Sequence, residues 1–222
     1  MPYYNLLGQP IKLTRDISLR SKNKSKNVKL ALKFDYEYFD GDRSQGYGGY
    51  HYDGRWVPVA KKLIERYKLN SKSKFLDVGC AKGFLIYDLQ NEIPSIETHG
   101  LDISRYAKEH AFKYIGERIT LGSCEHIPFP DDYFDATVAI NTIHNLNLES
   151  CTASIKEIMR VTKNKKNIFI QVDSYENEEE HKLFEQWMLT AKTYLMPHEW
   201  ENIFKELNYE GDYFWTIIGF GK

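Results

Sequence analysis

The sequence predicts an α/β fold, a doubly wound, mostly parallel sheet of six or seven strands with helices on both faces. Three observations carry this expectation. Short, nearly continuous apolar runs recur from residue 74 to residue 218, the pattern of strands buried on both faces. Stretches with helical spacing separate them, and such alternation builds parallel sheets through crossover helices. The first run, Phe75-Leu76-Asp77-Val78, stops at a carboxylate and a glycine turn, Gly79-Cys80-Ala81-Lys82-Gly83, then restarts as a helix. Glycine has no Cβ, so the turn brings bare backbone toward a ligand at a strand's carboxyl end and a helix's start.

In chain order, residues 1–33 carry eight cations (Lys12, Arg15, Arg20, Lys22, Lys24, Lys26, Lys29, Lys33) against the single acid Asp16. They read either as a solvated, frayed arm or as a basic arm that docks a phosphate-bearing substrate. The segment from Phe39 to Trp56 is too glycine-rich for a helix and too aromatic for a disordered linker. It reads as an ordered loop, either packed on the domain edge or closing over a site. Tyr47, Tyr50 and Tyr52 supply contact area with polar tips, and Arg43 and Arg55 can each grip a carboxylate or phosphate through two hydrogen bonds. Residues 1–56 thus form an arm and lid segment, and residues 57–222 the ligand-binding domain.

Val57 to Tyr67 has helical apolar spacing, with Pro58 tolerable in the first turn. Strands are expected over residues 74–78, 98–102, 119–121, 136–141, 167–172 and 213–218, and helices over 84–89, 104–115, 154–161, 183–194 and 198–207. Glu178, Glu179 and Glu180 suit a helix's acidic first turn. Asp102 closes the second strand 19 residues beyond Gly83, about where an acid reaches a ribose in a nucleotide-binding βαβ unit.

Composition narrows the partners. The chain has 222 residues, 42% hydrophobic and 27% charged, enough for one domain with an appendage and a sizeable core. A formal charge of −1 and a pI near 6.7 give no overall pull toward nucleic acid or anionic membrane. Cys80, Cys124 and Cys151 have no metal-ligand spacing and cannot all pair, and the first apolar residues are too few for a signal peptide or membrane span. A reducing cytoplasm, no metal, no membrane and a monomer or homodimer are expected.

The glycine turn alone would suit NAD, FAD, a nucleotide sugar or S-adenosylmethionine. The dinucleotide fingerprint needs three glycines so that a pyrophosphate can sit over the helix start, and that spacing is absent between Gly79 and Gly83. Asp77 would oppose a pyrophosphate but suits a ligand carrying an ammonium and a sulfonium. Both features favour S-adenosylmethionine.

From Val57 to Asp173 the chain resembles the class I S-adenosylmethionine-dependent methyltransferases, whose sheet is Rossmann-like. The resemblance rests on Asp77 to Gly83, Gly100-Leu101-Asp102-Ile103-Ser104, Ile127-Pro128-Phe129-Pro130-Asp131 and Phe134-Asp135, in that order. It implies that residues 77–83, with Asp77, Gly79, Cys80 and Gly83, hold the methionine part of the cofactor. It further implies that Asp102 accepts from both ribose hydroxyls, that Ile103 packs on the adenine and that Asn141 lies beside the methionyl backbone. Two positions depart: Ala81 stands where many members have a third glycine, and Ser123 where an aspartate often reads the adenine amino group. Adenine contacts therefore fall to Ser123 and the backbone of Cys124. The family also usually ends in a two-stranded hairpin, for which only one strand fits here. Residues 46–56 look like the N-terminal signature of one bacterial subgroup.

Methyl transfer from a sulfonium needs alignment and exclusion of water more than activation. His144, after the fourth strand, is the candidate base, Asn145 a group that orients a substrate hydroxyl, and Asp173 a base or substrate contact at the fifth strand's end. Tyr47, Tyr50, Tyr52 and His144 are the expected substrate contacts, and Arg55 pairs the cofactor carboxylate or an acidic substrate. Cys80 reads as a packing residue. The favoured function is methylation of an oxygen or nitrogen of a small molecule, a sugar or other anionic metabolite among the candidates. The alternatives are an RNA methyltransferase using the basic arm and a cofactor-binding regulatory protein without activity.

Overall fold

The computed structural model describes residues 1–219 and places seven strands in one sheet. They are β1 (Lys12–Thr14), β2 (Lys74–Val78), β3 (Glu97–Asp102), β4 (Ile119–Leu121), β5 (Ala136–Ile140), β6 (Ile168–Ser174) and β7 (Asp212–Gly219). Their order is β1-β7-β6-β5-β2-β3-β4, and every pairing is parallel. The order reverses between β2 and β5, opening a crevice at their carboxyl ends where ligands bind in such sheets.

The helices are α1 (Ser18–Ser21), α2 (Lys24–Ala31), α3 (Tyr36–Phe39), α4 (Val57–Tyr67), α5 (Phe84–Glu92), α6 (Arg105–Glu109), α7 (Leu148–Val161), α8 (Glu178–Trp187) and α9 (Pro197–Glu206). Strand periodicity divides the core between the two faces of the sheet. Phe75, Val138, Phe169 and Phe214 pack with Leu63 of α4 and Leu89 of α5, whereas Leu76, Ile168 and Ile170 pack with Ile155 of α7 and Trp200 and Phe204 of α9. The start of β7 is pinned to α4 by Arg66, which donates to both oxygens of Asp212 at 2.8 and 2.7 Å.

The reading of residues 1–33 as a frayed arm is corrected. β1 pairs with β7 in the register Lys12↔Ile217, Tyr3 bridges Tyr213, and Leu6 is fully buried beside Val59 and Phe214. Three of its cations are engaged: Lys12 meets Glu180 at 2.6 Å and Glu176 at 3.1 Å, Lys24 donates to the Gln186 carbonyl at 2.8 Å, and Arg20 donates to the Gly46 carbonyl at 2.6 Å. The sheet is therefore completed from the N-terminus, where the resemblance implied a C-terminal hairpin.

Three helix expectations shift. The stretch 104–115 is divided into α6 and a 3-10 turn over Lys113–Arg118, with Lys113 in the left-handed region at φ 53°. α7 starts six residues before the expected Ser154, because Asn147 caps it by accepting from the Ser150 N–H at 2.9 Å. α8 starts five residues before the expected 183–194 and ends at Trp187, capped by Asn177 and opened by Glu178, Glu179 and Glu180. Among the described residues no helix is long and apolar enough to cross a membrane, and no group of three or more His, Cys, Asp or Glu is arranged to hold a metal.

Candidate active site

The turn between β2 and α5 runs through the left-handed region at Gly79 (φ 77°), Ala81 (φ 50°) and Gly83 (φ 75°). A Cβ on Gly79 would lie 2.1 Å from Thr142 Oγ1, so the close approach of the β5 turn requires glycine there. Cys80 is buried, and its Sγ occupies the space that a Cβ on Gly100 would need. Burial pushes its thiol pKa up, as befits a packing residue.

Asp102 ties two loops together, accepting the Ala81 N–H on Oδ2 and the Ser104 N–H on Oδ1, both at 2.8 Å. Its pKa is raised by burial, against the opposing effect of these hydrogen bonds. Asp77 is pushed up to about 7 by burial and then by the charge of Asp102. Buried Asp77 and half-buried Asp102 thus share the crevice, and neither forms a salt bridge among the described residues.

Three cavities open there, of about 400, 340 and 250 Å³. The first is lined by Gly79, Asp102, Ile103, Ser123, Cys124, Asn141 and Asn145, the second by Asp77, Gly79, Cys80, Tyr50 and Arg55, and the third by His144, Asn145 and Asp173 with several arginines. Tyr47 and Asn141 line all three. Asn141 is held at φ 53°, and its N–H donates to the Gln171 carbonyl at 2.9 Å. A left-handed non-glycine residue costs on the order of 1 kcal/mol, and such strain collects at functional sites.

His144 is buried, and burial lowers its pKa. Its Nδ1 accepts the Asp173 backbone N–H at 3.2 Å, so the neutral ring carries its proton on Nε2, 3.6 Å from Asp173 Oδ2. The other carboxylate oxygen, Oδ1, accepts from the Thr216 hydroxyl at 2.5 Å. Asn145 accepts from Thr190 at 2.8 Å and donates to the Asn141 carbonyl at 3.3 Å.

One expected contact lies elsewhere, and a second is held by a neighbour. Tyr52 lines none of these cavities: its hydroxyl donates to Asp88 at 2.5 Å and its ring stacks on Phe112, with centroids 4.4 Å apart. Arg55 reaches the second and third cavities, but its guanidinium is held by Asp53, with contacts of 2.6 to 2.9 Å. Sequence reasoning missed Lys33, Phe34 and Tyr38, which line the first cavity, and the ion pair of Lys82 with Asp40. A lysine inside the glycine turn was the available signal for that pair.

The methyltransferase domain family matches residues 76–170, which include the glycine turn, Asp102 and the β5 turn. Over that stretch the chain is similar to the class I S-adenosylmethionine-dependent methyltransferases. The uncharacterised protein MJ0638 of Methanocaldococcus jannaschii is 29% identical over 126 residues, covering 56% of this chain and 52% of that protein. The uncharacterised methyltransferase YdaC of Bacillus subtilis is 25% identical over 103 residues, 45% of this chain and 56% of its own. The chain therefore spans about half the length of these curated relatives. Among solved structures, the [4+2]-cyclase SpnF aligns with a TM-score of 0.55 and 18% identity over 90% of this chain and 74% of its own, a likeness of fold alone.

Both departures from the pattern of that family have local accounts. Ala81 occupies a left-handed position where a glycine would be unstrained. Ser123 donates to Glu125 Oε2 at 2.9 Å, so a carboxylate two residues on orients the hydroxyl that replaces the usual acid.

Proposed function

We propose that the protein transfers the methyl group of S-adenosylmethionine to an oxygen or nitrogen of a small molecule. The observation that carries this reading is the junction of three cavities at Asn141 and Tyr47, each with different chemistry on its walls. Adenosine would occupy the first. Asp102 would accept from the ribose hydroxyls, Ile103, 55% exposed in the free protein, would cover one face of the adenine, and Ser123 and the Cys124 backbone would meet its edge. The methionine part would occupy the second, its ammonium opposite Asp77. The fit is supported by the two carboxylates, which have no cation partner among the described residues and suit one.

When bound, the sulfonium supplies an activated methyl for an in-line displacement. The chain's residues position the acceptor and hold its proton. Because His144 Nδ1 takes the Asp173 N–H, His144 is a donor toward Asp173, and Asp173 is the group that accepts the acceptor's proton. Asn145 steadies the Asn141 turn, and Tyr47 and Tyr50 close the crevice against water. The alternative reading as an RNA enzyme rests on the basic arm alone, and two of its cations, Lys12 and Lys24, are already engaged by α8 and the residues around it.

The test is incubation with methyl-labelled S-adenosylmethionine and a set of small hydroxyl- and amine-bearing carboxylates, phosphates and neutral sugars. Transfer to one acceptor class, lost in Asp102→Ala, is expected. Cofactor binding with transfer to no acceptor would favour the regulatory alternative.

A further inference from the structure

The third cavity holds a group of arginines that the reading above leaves unused. Arg15 follows β1, Arg20 lies in α1 and Arg43 follows α3, and all three line this space beside Asp173, the one acid among its described lining residues. Arg20 is 8% exposed and stacks on Trp187 with its guanidinium 4.5 Å from the ring centroid. Its donors go to backbone carbonyls, Gly46 at 2.6 Å and Trp187 at 3.4 Å, and those of Arg43 to Gly46 and Tyr47 at 3.0 Å. The buried Nε of Arg15 has no hydrogen-bond partner.

None of the three has a carboxylate within salt-bridge distance among the described residues. Burial and then mutual repulsion lower the pKa of Arg15 and bring Arg20 down to about 10. Three guanidiniums gathered in a partly buried space with a single carboxylate, Asp173, and no contact ion pair cost stability, unless a planar or tetrahedral oxyanion joins them. We infer that this arginine-lined cavity binds the anionic group, a carboxylate or a phosphate, of the methyl acceptor, with the nucleophilic atom directed toward Asp173 and Asn141. The inference rests on the methyl-transfer reading for the word acceptor, and on the cavity alone for the anion. A volume of about 250 Å³ accommodates the anionic end of a small metabolite.

The test uses the full chain, wild type and the variants Arg15→Gln and Arg43→Gln. Thermal melting is followed with sodium phosphate, sodium acetate, and sodium chloride at matched ionic strength, and S-adenosylhomocysteine binding is measured separately by calorimetry. Phosphate or acetate should stabilise the wild type saturably and beyond chloride, and the variants should need about tenfold more anion for the same shift. Arg15→Gln should melt no lower than wild type without anion, since it removes repulsion and no hydrogen bond from Nε. Response to phosphate alone assigns a phosphate-bearing acceptor, and response to acetate alone a carboxylate. Equal responses in wild type and both variants, or no response beyond chloride, would overturn the inference. S-adenosylhomocysteine affinity should stay within about threefold in both variants. Failure of all three proteins to bind it would count against methyl transfer, while the anion response would still decide the pocket.

Discussion

Lys82 Nζ lies 2.6 Å from Asp40 Oδ2 and 2.8 Å from Oδ1, joining the glycine turn to the aromatic segment that covers it. Lys82 also donates to the Tyr50 carbonyl at 3.1 Å, and Asp40 accepts from the Tyr106 hydroxyl at 2.7 Å and the Tyr50 N–H at 3.1 Å. Burial raises the pKa of Asp40, but the hydrogen bonds from Lys82 and Tyr106 outweigh it and hold the carboxyl below its usual range. One buried ion pair thereby sets where the lid meets the loop.

Removing one partner strands a charge with little access to water. Asp40→Asn is expected to cost about 3 kcal/mol in urea unfolding, whereas the double variant Asp40→Leu/Lys82→Met should recover part of it. A loss under 1 kcal/mol in the single variant would show that the pair does not secure the lid.

Gly79→Ala forces a side chain into a left-handed position and against Thr142 Oγ1. It should destabilise the protein by about 1–3 kcal/mol and weaken S-adenosylhomocysteine binding at least tenfold. Calorimetry on the purified variant checks both, and unchanged affinity would show that the turn need not be tight.

Asp77 gives the site a pH signature. With its pKa at about 7 in the folded protein, it keeps a proton that the unfolded chain has already lost above its ordinary value of 3.8. Its burial therefore lowers stability progressively as pH rises from about 4 to 7. A cationic ligand prefers the ionised form, so binding of S-adenosylmethionine between pH 5.5 and 7 should tighten with pH and release a proton to buffer. Asp77→Asn should abolish the proton release, as read by calorimetry in buffers of different ionisation enthalpy, and should weaken binding about tenfold or more.

His144 acts in the opposite pH sense. Its folded pKa lies below the ordinary 6.5, so as pH falls below that value the unfolded chain takes up a proton that the folded chain refuses. This one group should reduce stability by up to about 1.4 kcal/mol per pH unit there. His144→Gln should flatten that slope and lower kcat modestly, and Asp173→Asn should lower kcat by about 10²–10⁴ with S-adenosylhomocysteine affinity retained. If Asp173→Asn leaves kcat unchanged, Asp173 is not the base.

The parts legible in the sequence were those encoded locally. The glycine turn, Asp77 and Asp102 lie within 26 residues, and each follows an apolar strand whose burial the pattern announced. β1 was missed because three residues carry no periodicity, and its partner β7 lies some 200 positions later. The same distance hid the arginine group: Arg15, Arg20 and Arg43 share a cavity only because β1 docks on β7 and α1 packs near α8. Composition marked the tyrosines without saying which way each faces, so Tyr47 and Tyr50 reach the crevice while Tyr52 turns to Asp88. Which His144 nitrogen holds the proton depends on a backbone N–H 29 residues away.

Whether the crevice takes S-adenosylmethionine is decided by titration calorimetry with S-adenosylhomocysteine and NAD. Stoichiometric binding of S-adenosylhomocysteine, lost in Asp102→Ala, is expected, with no binding of NAD. Binding of NAD with none of S-adenosylhomocysteine would contradict that expectation.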